Sequence, residues 1–207
     1  MNFLAHLYLS GDSDPVKIGN FIGDYVKGKK YLNYPLDIQK GIILHRSIDH
    51  FTDCHPIVSE SSNRFREGYN RYSGVVVDVI YDHFLAKNWQ EYHSKELKSF
   101  TTSTHEVLIK KYLVLPLRVK KFLPFLIKSR RLESYATLDG IHRALEIMSN
   151  HTTLPNKADY ALSVLESQYE ALEEEFKTFF PDIMEMVRKD HDITLEAPDG
   201  WHPNEEK

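Results

Sequence analysis

The sequence is poor in several residue types, and each shortage excludes a class of protein. Its single cysteine, Cys54, leaves no pair for an internal disulfide or for a zinc site that needs two thiolates. Lysine and arginine total 26 against 30 aspartates and glutamates, and this balance argues against a strongly basic nucleic-acid binder. No apolar run is long enough to cross a membrane, and the apolar segment 1–9 lacks a basic lead. We therefore expect no export signal, no stable membrane insertion and a cytoplasmic location.

Glycine and proline are also sparse, at nine each in 207 residues, while apolar residues recur three or four apart in several long windows. This spacing predicts an all-α, single-domain helical bundle over residues 1–190. Residues 191–207, which contain the turn-forming run Pro198-Asp199-Gly200, are expected to be a mobile tail. The predicted helices cover 2–9, 15–27, 36–53, 57–69, 74–89, 94–111, 117–130, 135–149 and 157–189.

The predicted helix 36–53 carries polar side chains on an apolar face. At 100° per residue, His45 and Asp49 fall on the same stripe as Ile38 and Ile42. Most of the remaining circumference is apolar too. A helix of this kind is expected to be buried, so His45 and Asp49 require partners inside the protein.

The predicted helix 74–89 presents the same problem more sharply. Asp78, Asp82 and His83 interrupt an otherwise apolar run, and the two aspartates lie one turn apart. An unpaired buried carboxylate is costly, so pairing, protonation or a metal ion must relieve it.

Imidazole and carboxylate groups are the ligands of zinc, manganese and iron, and two of them at i and i+4 converge on one ion. The candidates come from four predicted helices: His6, Asp24, His45, Asp49, Asp53, Asp78, Asp82 and His83. Taken together they favour a metal centre. A metal ion with an open position activates water and polarises a phosphoryl oxygen, which favours hydrolysis. The alternative is structural, with satisfied core histidines, helix caps and aspartates bonded to arginines such as Arg46 or Arg64.

A basic segment stands out in this acidic chain. Residues 107–131 contain eight lysines and arginines and no acidic residue, and apolar residues alternate with them. The segment can present positive charge to an acidic protein, a phosphate, a membrane surface or RNA. It can equally be a solvated helix face above a packed one.

Four ordered motifs within residues 1 to about 90 resemble those of the acyl carrier protein phosphodiesterases. They are NFLAHL at 2–7, GDYVKG at 23–28, HRSID at 45–49 followed by Thr52-Asp53, and DVIYDHFL at 78–85. That family resembles an unusual branch of the all-helical HD-domain phosphohydrolases. The motifs here contain no adjacent His-Asp pair in that order and have Asp82-His83 instead.

The resemblance implies removal of 4'-phosphopantetheine from holo-acyl carrier protein, with Mn²⁺ as the usual cofactor and Mg²⁺ or Fe²⁺ as alternatives. It implies metal ligands drawn from six residues: His6, Asp24, His45, Asp78, Asp82 and His83. Asp49 is expected to orient a ligand or accept a proton, and Arg46 to neutralise phosphate charge. Acyl carrier proteins are small and acidic, so the resemblance gives the basic segment a docking role, through Lys120, Lys121, Lys128, Arg130 and Arg131.

Three other functions stay open at this point. The chain can be a metal-dependent hydrolase of a small phosphoester or nucleotide. It can be a helical-bundle dimetal oxidase, although the paired Glu-x-x-His motif is missing. It can also be a non-catalytic scaffold that binds acidic partners through the basic segment. The sequence does not predict an oligomeric state.

Overall fold

The computed structural model describes residues 1–196, and this part of the chain is helical without any β-strand. The all-α prediction is confirmed. Five short 3-10 turns, at 23–25, 28–33, 70–72, 89–91 and 112–114, join the helices. The α-helices are α1 Phe3–Tyr8, α2 Asp14–Ile22, α3 Leu36–Cys54, α4 Pro56–Arg64, α5 Arg66–Tyr69, α6 Ser73–Lys87, α7 Leu97–Lys110, α8 Leu117–Lys128, α9 Arg131–Ser134, α10 Leu138–His151, α11 Ala158–Ser167 and α12 Tyr169–His191.

Two predicted helices are each divided in the structure. The predicted helix 57–69 breaks at Phe65 between α4 and α5, and the predicted helix 157–189 breaks at Gln168 between α11 and α12. Periodicity does not reveal such breaks, because the apolar spacing continues across a single non-helical residue. By contrast, α8 is not divided at Pro124, which lies inside it.

A close crossing of α2 and α3 positions the region around His45. A Cβ atom on Gly19 would lie 2.1 Å from the carbonyl oxygen of Ile38, and one on Gly41 would lie 2.2 Å from that of Val16. Two glycines at the contact therefore let the backbones approach more closely than any side chain would permit. This approach brings the C-terminal half of α3 beside α1, which also packs against α2.

The interior helix is α6, which packs against α1, α4, α10 and α12. Its apolar residues are buried around the whole circumference, in agreement with the prediction that this window is buried. Asp82 and His83 lie within it and are 0% and 2% exposed. Their polar groups must therefore be satisfied by the helices that surround α6.

The long helix α12 closes the fold with an aromatic stripe, and Phe176, Phe179 and Phe180 on it are fully buried. The proposed tail 191–207 extends past the described residues. Within them, α12 ends at His191, and Glu196 accepts a 3.0 Å hydrogen bond from Lys95. Residues 197–207 lie outside the described part. Over residues 1–196 no helix has the combination of length and apolarity that a membrane crossing needs.

Candidate metal centre

Three predicted site residues meet at one point between α1 and α3. His6, His45 and Asp49 each offer a ligand atom, and these atoms all lie within 4.8 Å of one another. The Nε2 atoms of His6 and His45 lie 3.2 and 3.1 Å from the two carboxylate oxygens of Asp49. The imidazole rings stack with their centroids 4.2 Å apart. His45 and Asp49 converge because they are one turn apart on α3.

Asn20 on α2 determines which nitrogen of His6 faces the centre. Its amide nitrogen donates to the backbone carbonyl of His6 at 2.7 Å and to the hydroxyl of Ser10 at 2.9 Å. The amide oxygen must then accept from Nδ1–H of His6, at 2.7 Å. The unprotonated Nε2 atom of neutral His6 consequently faces Asp49 and also the carbonyl oxygen of Met1, 3.1 Å away.

Around Nε2 of His6 the arrangement gathers acceptors without a donor. Burial lowers the pKa of His6 and keeps its imidazole neutral at neutral pH. Its Nε2 lone pair, the Asp49 carboxylate and the Met1 carbonyl then point at one another. A cation at this place relieves their repulsion, and mixed nitrogen and oxygen donors of this kind bind divalent metal ions. The residues present therefore fit a metal ion.

The imidazole ring of His45 packs directly against the backbone of Gly23 and faces two carboxylates. Among the described residues, neither ring nitrogen of this buried side chain has a partner with hydrogen-bond geometry. Its Nε2 atom nevertheless lies 3.1 Å from Asp49 and 3.6 Å from Asp24. Burial lowers the pKa of His45, but the two carboxylates outweigh burial and raise it to about 9. A positive charge at Nε2 is thus favoured, whether it comes from a proton or from a metal ion.

The two aspartates of the centre are ionised at neutral pH. Burial opposes ionisation of Asp49, yet the positively charged imidazole of His45 holds its pKa well below the usual range. His45 likewise lowers the pKa of Asp24, whose side chain is 63% exposed. Asp24 therefore marks the side of the centre that is open to solvent.

The two aspartates of α6 have other partners. Asp78 accepts from the ammonium group of Met1 at 2.9 Å. Asp82 accepts from the backbone N–H groups of Leu4 and Ala5 at 2.8 and 3.1 Å, and so satisfies free donors at the start of α1. Both contacts fix α1, which carries His6, against α6. Asp78 and Asp82 therefore position α1 and, within residues 1–196, lie outside the cluster.

His83, also predicted as a ligand, lies on another side of α6. Its Nδ1 atom contacts the carbonyl oxygen of Tyr135 at 2.8 Å, and its Nε2 atom contacts the hydroxyl of Tyr169 at 2.7 Å. Both nitrogens are therefore occupied in joining α6 to α12 and to the segment before α10. Asp53, a further candidate, is not part of the cluster either.

Arg46 does not take the position that its predicted role requires. Its guanidinium donates to the carbonyl oxygens of Val26 and Gly28 at 2.9 and 2.7 Å and lies 5.1 Å from the centre of the Tyr31 ring. It therefore fixes the backbone after Asp24, and its role toward a phosphate stays a prediction. The sequence missed Asn20, because asparagine does not signal a metal site by itself.

The basic segment is only partly available to a partner. Arg131 is 6% exposed, and its guanidinium lies over the ring of Tyr135, so its assignment to a docking surface is corrected. Lys120 is half-buried, and Arg130 pairs with Glu133. Within residues 1–196, the exposed Lys121 and Lys128 have no ion-pair partner. The other arginine suggested as a structural partner, Arg64, pairs with Glu175 and not with an aspartate of the centre.

The fold and the site define an all-helical protein with an imidazole–carboxylate centre. A family model described as acyl carrier protein phosphodiesterase matches residues 1–183. The acyl carrier protein phosphodiesterase of Yersinia pestis is 35% identical over 91% of this chain and 98% of its own length. Those of Salmonella agona and of an Enterobacter species are each 34% identical over 89% of this chain and 96% of theirs.

The chain belongs to the acyl carrier protein phosphodiesterase family, and it is a phosphodiester hydrolase. No solved structure matches it significantly. The predicted relation to HD-domain phosphohydrolases therefore stays a prediction.

Proposed function

We propose that this enzyme hydrolyses the phosphodiester that links 4'-phosphopantetheine to the serine of holo-acyl carrier protein. Water adds to phosphorus, the bond from phosphorus to the serine oxygen breaks, and that oxygen takes a proton. The products are 4'-phosphopantetheine and the apo protein. One observation supports a metal-dependent route: in the cluster of His6, His45 and Asp49, the Nε2 lone pair of His6 faces the Asp49 carboxylate and the Met1 carbonyl oxygen without a donor between them. We assign the ion as Mn²⁺, with Mg²⁺ and Fe²⁺ as alternatives.

His6, His45 and Asp49 are the residues that would hold the ion. On the exposed side, the carboxylate of Asp24 would offer a further oxygen ligand. A divalent ion supplies Lewis-acid chemistry, since it polarises a phosphoryl oxygen and makes water a better nucleophile at neutral pH. The side chains do the rest. Asn20 orients the ring of His6 and keeps its proton on Nδ1, and Asp49 orients the imidazole of His45.

The carrier protein as partner accords with the exposed charge of the basic segment. Lys121 and Lys128 on α8 are exposed, and Arg130 follows them at the surface. An acidic protein is attracted to such a surface at long range, which raises the encounter rate at low salt. This contribution is expected to affect binding of the carrier and not the chemistry.

The test is the mass of holo-acyl carrier protein after incubation with the enzyme, with added Mn²⁺ or with excess chelator. We expect loss of the whole phosphopantetheine arm with Mn²⁺ only. His45→Ala and Asp49→Ala are expected to abolish the loss, whereas His50→Ala, an exposed histidine of the same helix, is expected to retain it. Loss of mass in chelator would overturn the metal assignment. Faster cleavage of free small phosphoesters than of the carrier would overturn the substrate assignment.

A further inference from the structure

A surface groove begins beside the candidate metal centre. Its volume is about 400 Å³. The segment 25–35 forms one wall and the segment 114–116 the other. The side chains that line it include Tyr25, Lys30, Asn33, Tyr34, Val114 and Pro116. Cavities of this size accept small molecules.

The chain itself connects the groove to the centre. Tyr25, on the wall, directly follows Asp24, whose carboxylate lies 3.6 Å from Nε2 of His45. Arg46 holds the next stretch of the wall through the carbonyl oxygens of Val26 and Gly28. The groove and the exposed side of the centre are therefore joined by two consecutive residues, Asp24 and Tyr25.

The lining suits a partly polar chain. Phenol, amide and ammonium groups from Tyr25, Asn33 and Lys30 line the groove together with the apolar surfaces of Val114 and Pro116. Pantetheine has the matching composition, because its amides and hydroxyls alternate with methyl and methylene groups. Burying the apolar parts while satisfying the polar ones is the usual requirement for tight binding of such a molecule.

The rim of the groove is suited to the body of an acidic protein. Sequence neighbours of the lining residues are exposed leucines: Leu32 (56%), Leu36 (76%), Leu113 (87%) and Leu117 (68%). The wall 25–35 is also basic, since it contains three lysines and no acid, and the exposed Lys121 and Lys128 follow the other wall on α8. Exposed apolar groups within a positively charged surface fit a partner with an acidic, partly apolar face.

We propose that this groove binds the pantetheine arm of the carrier protein, while its rim contacts the carrier protein itself. The inference rests on the proposed function, because it takes holo-acyl carrier protein as the substrate. The arm then has a defined location, and the width of the groove contributes to the specificity for the holo form of the carrier protein. An arm in the groove would place its phosphate end at Asp24 and its thiol end away from the centre.

The experiment compares the affinities of the enzyme for holo- and apo-acyl carrier protein in chelator, with the mass of the recovered carrier verifying that it is intact. The wild-type enzyme is expected to bind the holo form about tenfold more tightly. Val114→Trp and Asn33→Trp fill the groove from opposite walls and should remove this preference without weakening binding of the apo form. Thr178→Trp, an exposed β-branched residue of α12 outside the groove, is the matched control and should retain the preference.

Equal affinities of the wild-type enzyme for both forms would overturn the inference, even if Mn²⁺-dependent cleavage is observed. Groove variants that still bind the holo form more tightly would also overturn it. So would groove variants that lower the affinities for the holo and apo forms equally, because the groove would then contact the body of the carrier protein. If the groove-dependent preference is present but the carrier loses no mass with Mn²⁺, the proposed function fails and the binding site stands.

Discussion

Gly23 lies directly against the imidazole ring of His45: a Cβ atom at Gly23 would come 2.2 Å from Cγ of that ring. The backbone of Gly23 is helical, with φ −52° and ψ −43°, so glycine is not required there for its conformational freedom. It is required for space. The residue before Asp24 thus sets how far His45 is pushed toward Asp49.

Gly23→Ala is expected to displace His45 and to lower kcat/KM at least about tenfold, because misplacement of a site residue by an ångström is costly. Alanine fits the backbone dihedral angles of Gly23, but its Cβ would lie 2.5 Å from Cβ of His45, so we also expect a lower thermal stability. Steady-state kinetics and thermal unfolding test both expectations. Gly74→Ala is the control, since a Cβ at Gly74 has its nearest neighbour 4.0 Å away. Full activity of Gly23→Ala would show that the observed position of His45 is not needed.

Asn20→Leu is expected to weaken Mn²⁺ binding about 10- to 100-fold, because Asn20 fixes the tautomer of His6. It also leaves the carbonyl oxygen of His6 without its amide donor, which costs about 1–3 kcal/mol of stability. Calorimetric titration with Mn²⁺ measures the first effect. Ser10→Ala removes a neighbouring hydroxyl but leaves the contact between Asn20 and His6, so its effect on affinity should be smaller. Unchanged affinity in Asn20→Leu would contradict the assigned role.

Asp82 is expected to make stability fall as the pH rises. Burial raises its pKa from 3.8 to about 7, against the two backbone N–H groups that it accepts from. The folded protein therefore binds this proton more tightly than the unfolded chain does. The resulting stabilisation of the folded state is complete below pH 3.8 and is lost as the pH rises through about 7. The maximal slope for one proton is about 1.4 kcal/mol per pH unit.

Asp82→Asn removes this titration. From pH 5 to pH 7 the unfolding free energy of the wild-type protein should therefore fall relative to that of Asp82→Asn. Urea unfolding at the two pH values measures it. A difference that does not change with pH would mean that Asp82 is ionised throughout this range.

Reversal of the exposed charges on α8 is expected to affect binding of the carrier and not the chemistry. The double variant Lys121→Glu and Lys128→Glu should raise KM for holo-acyl carrier protein several-fold at low salt and leave kcat nearly unchanged. The effect should shrink at high salt, because exposed charges are screened. Arg66→Glu with Lys157→Glu changes the net charge equally at exposed positions outside the basic segment and is the control. Equal KM increases in both double variants would indicate a general charge effect.

Much of the fold could be predicted because helical periodicity is local. The buried character of α6 and the aromatic stripe of α12 follow from residues three or four apart, whatever the rest of the chain does. The breaks at Phe65 and Gln168 could not be predicted, because the apolar spacing continues through them. The site was predictable in part for the same reason. His45 and Asp49 lie one turn apart on the same helix, so their side chains meet wherever the other helices pack.

The amino-acid sequence by itself determined the residue types of the centre, the helices that carry them and the family to which the chain belongs. Only the tertiary structure decided that His6 joins His45 and Asp49, whereas Asp78, Asp82 and His83 bind other groups. It also decided that Arg131 is buried and that the basic segment faces the segment 25–35 across a groove. The reason is physical: spacing along one helix fixes neighbours one turn apart, but contacts between helices depend on how closely their backbones approach. Here Gly19, Gly41 and Gly23 set that approach.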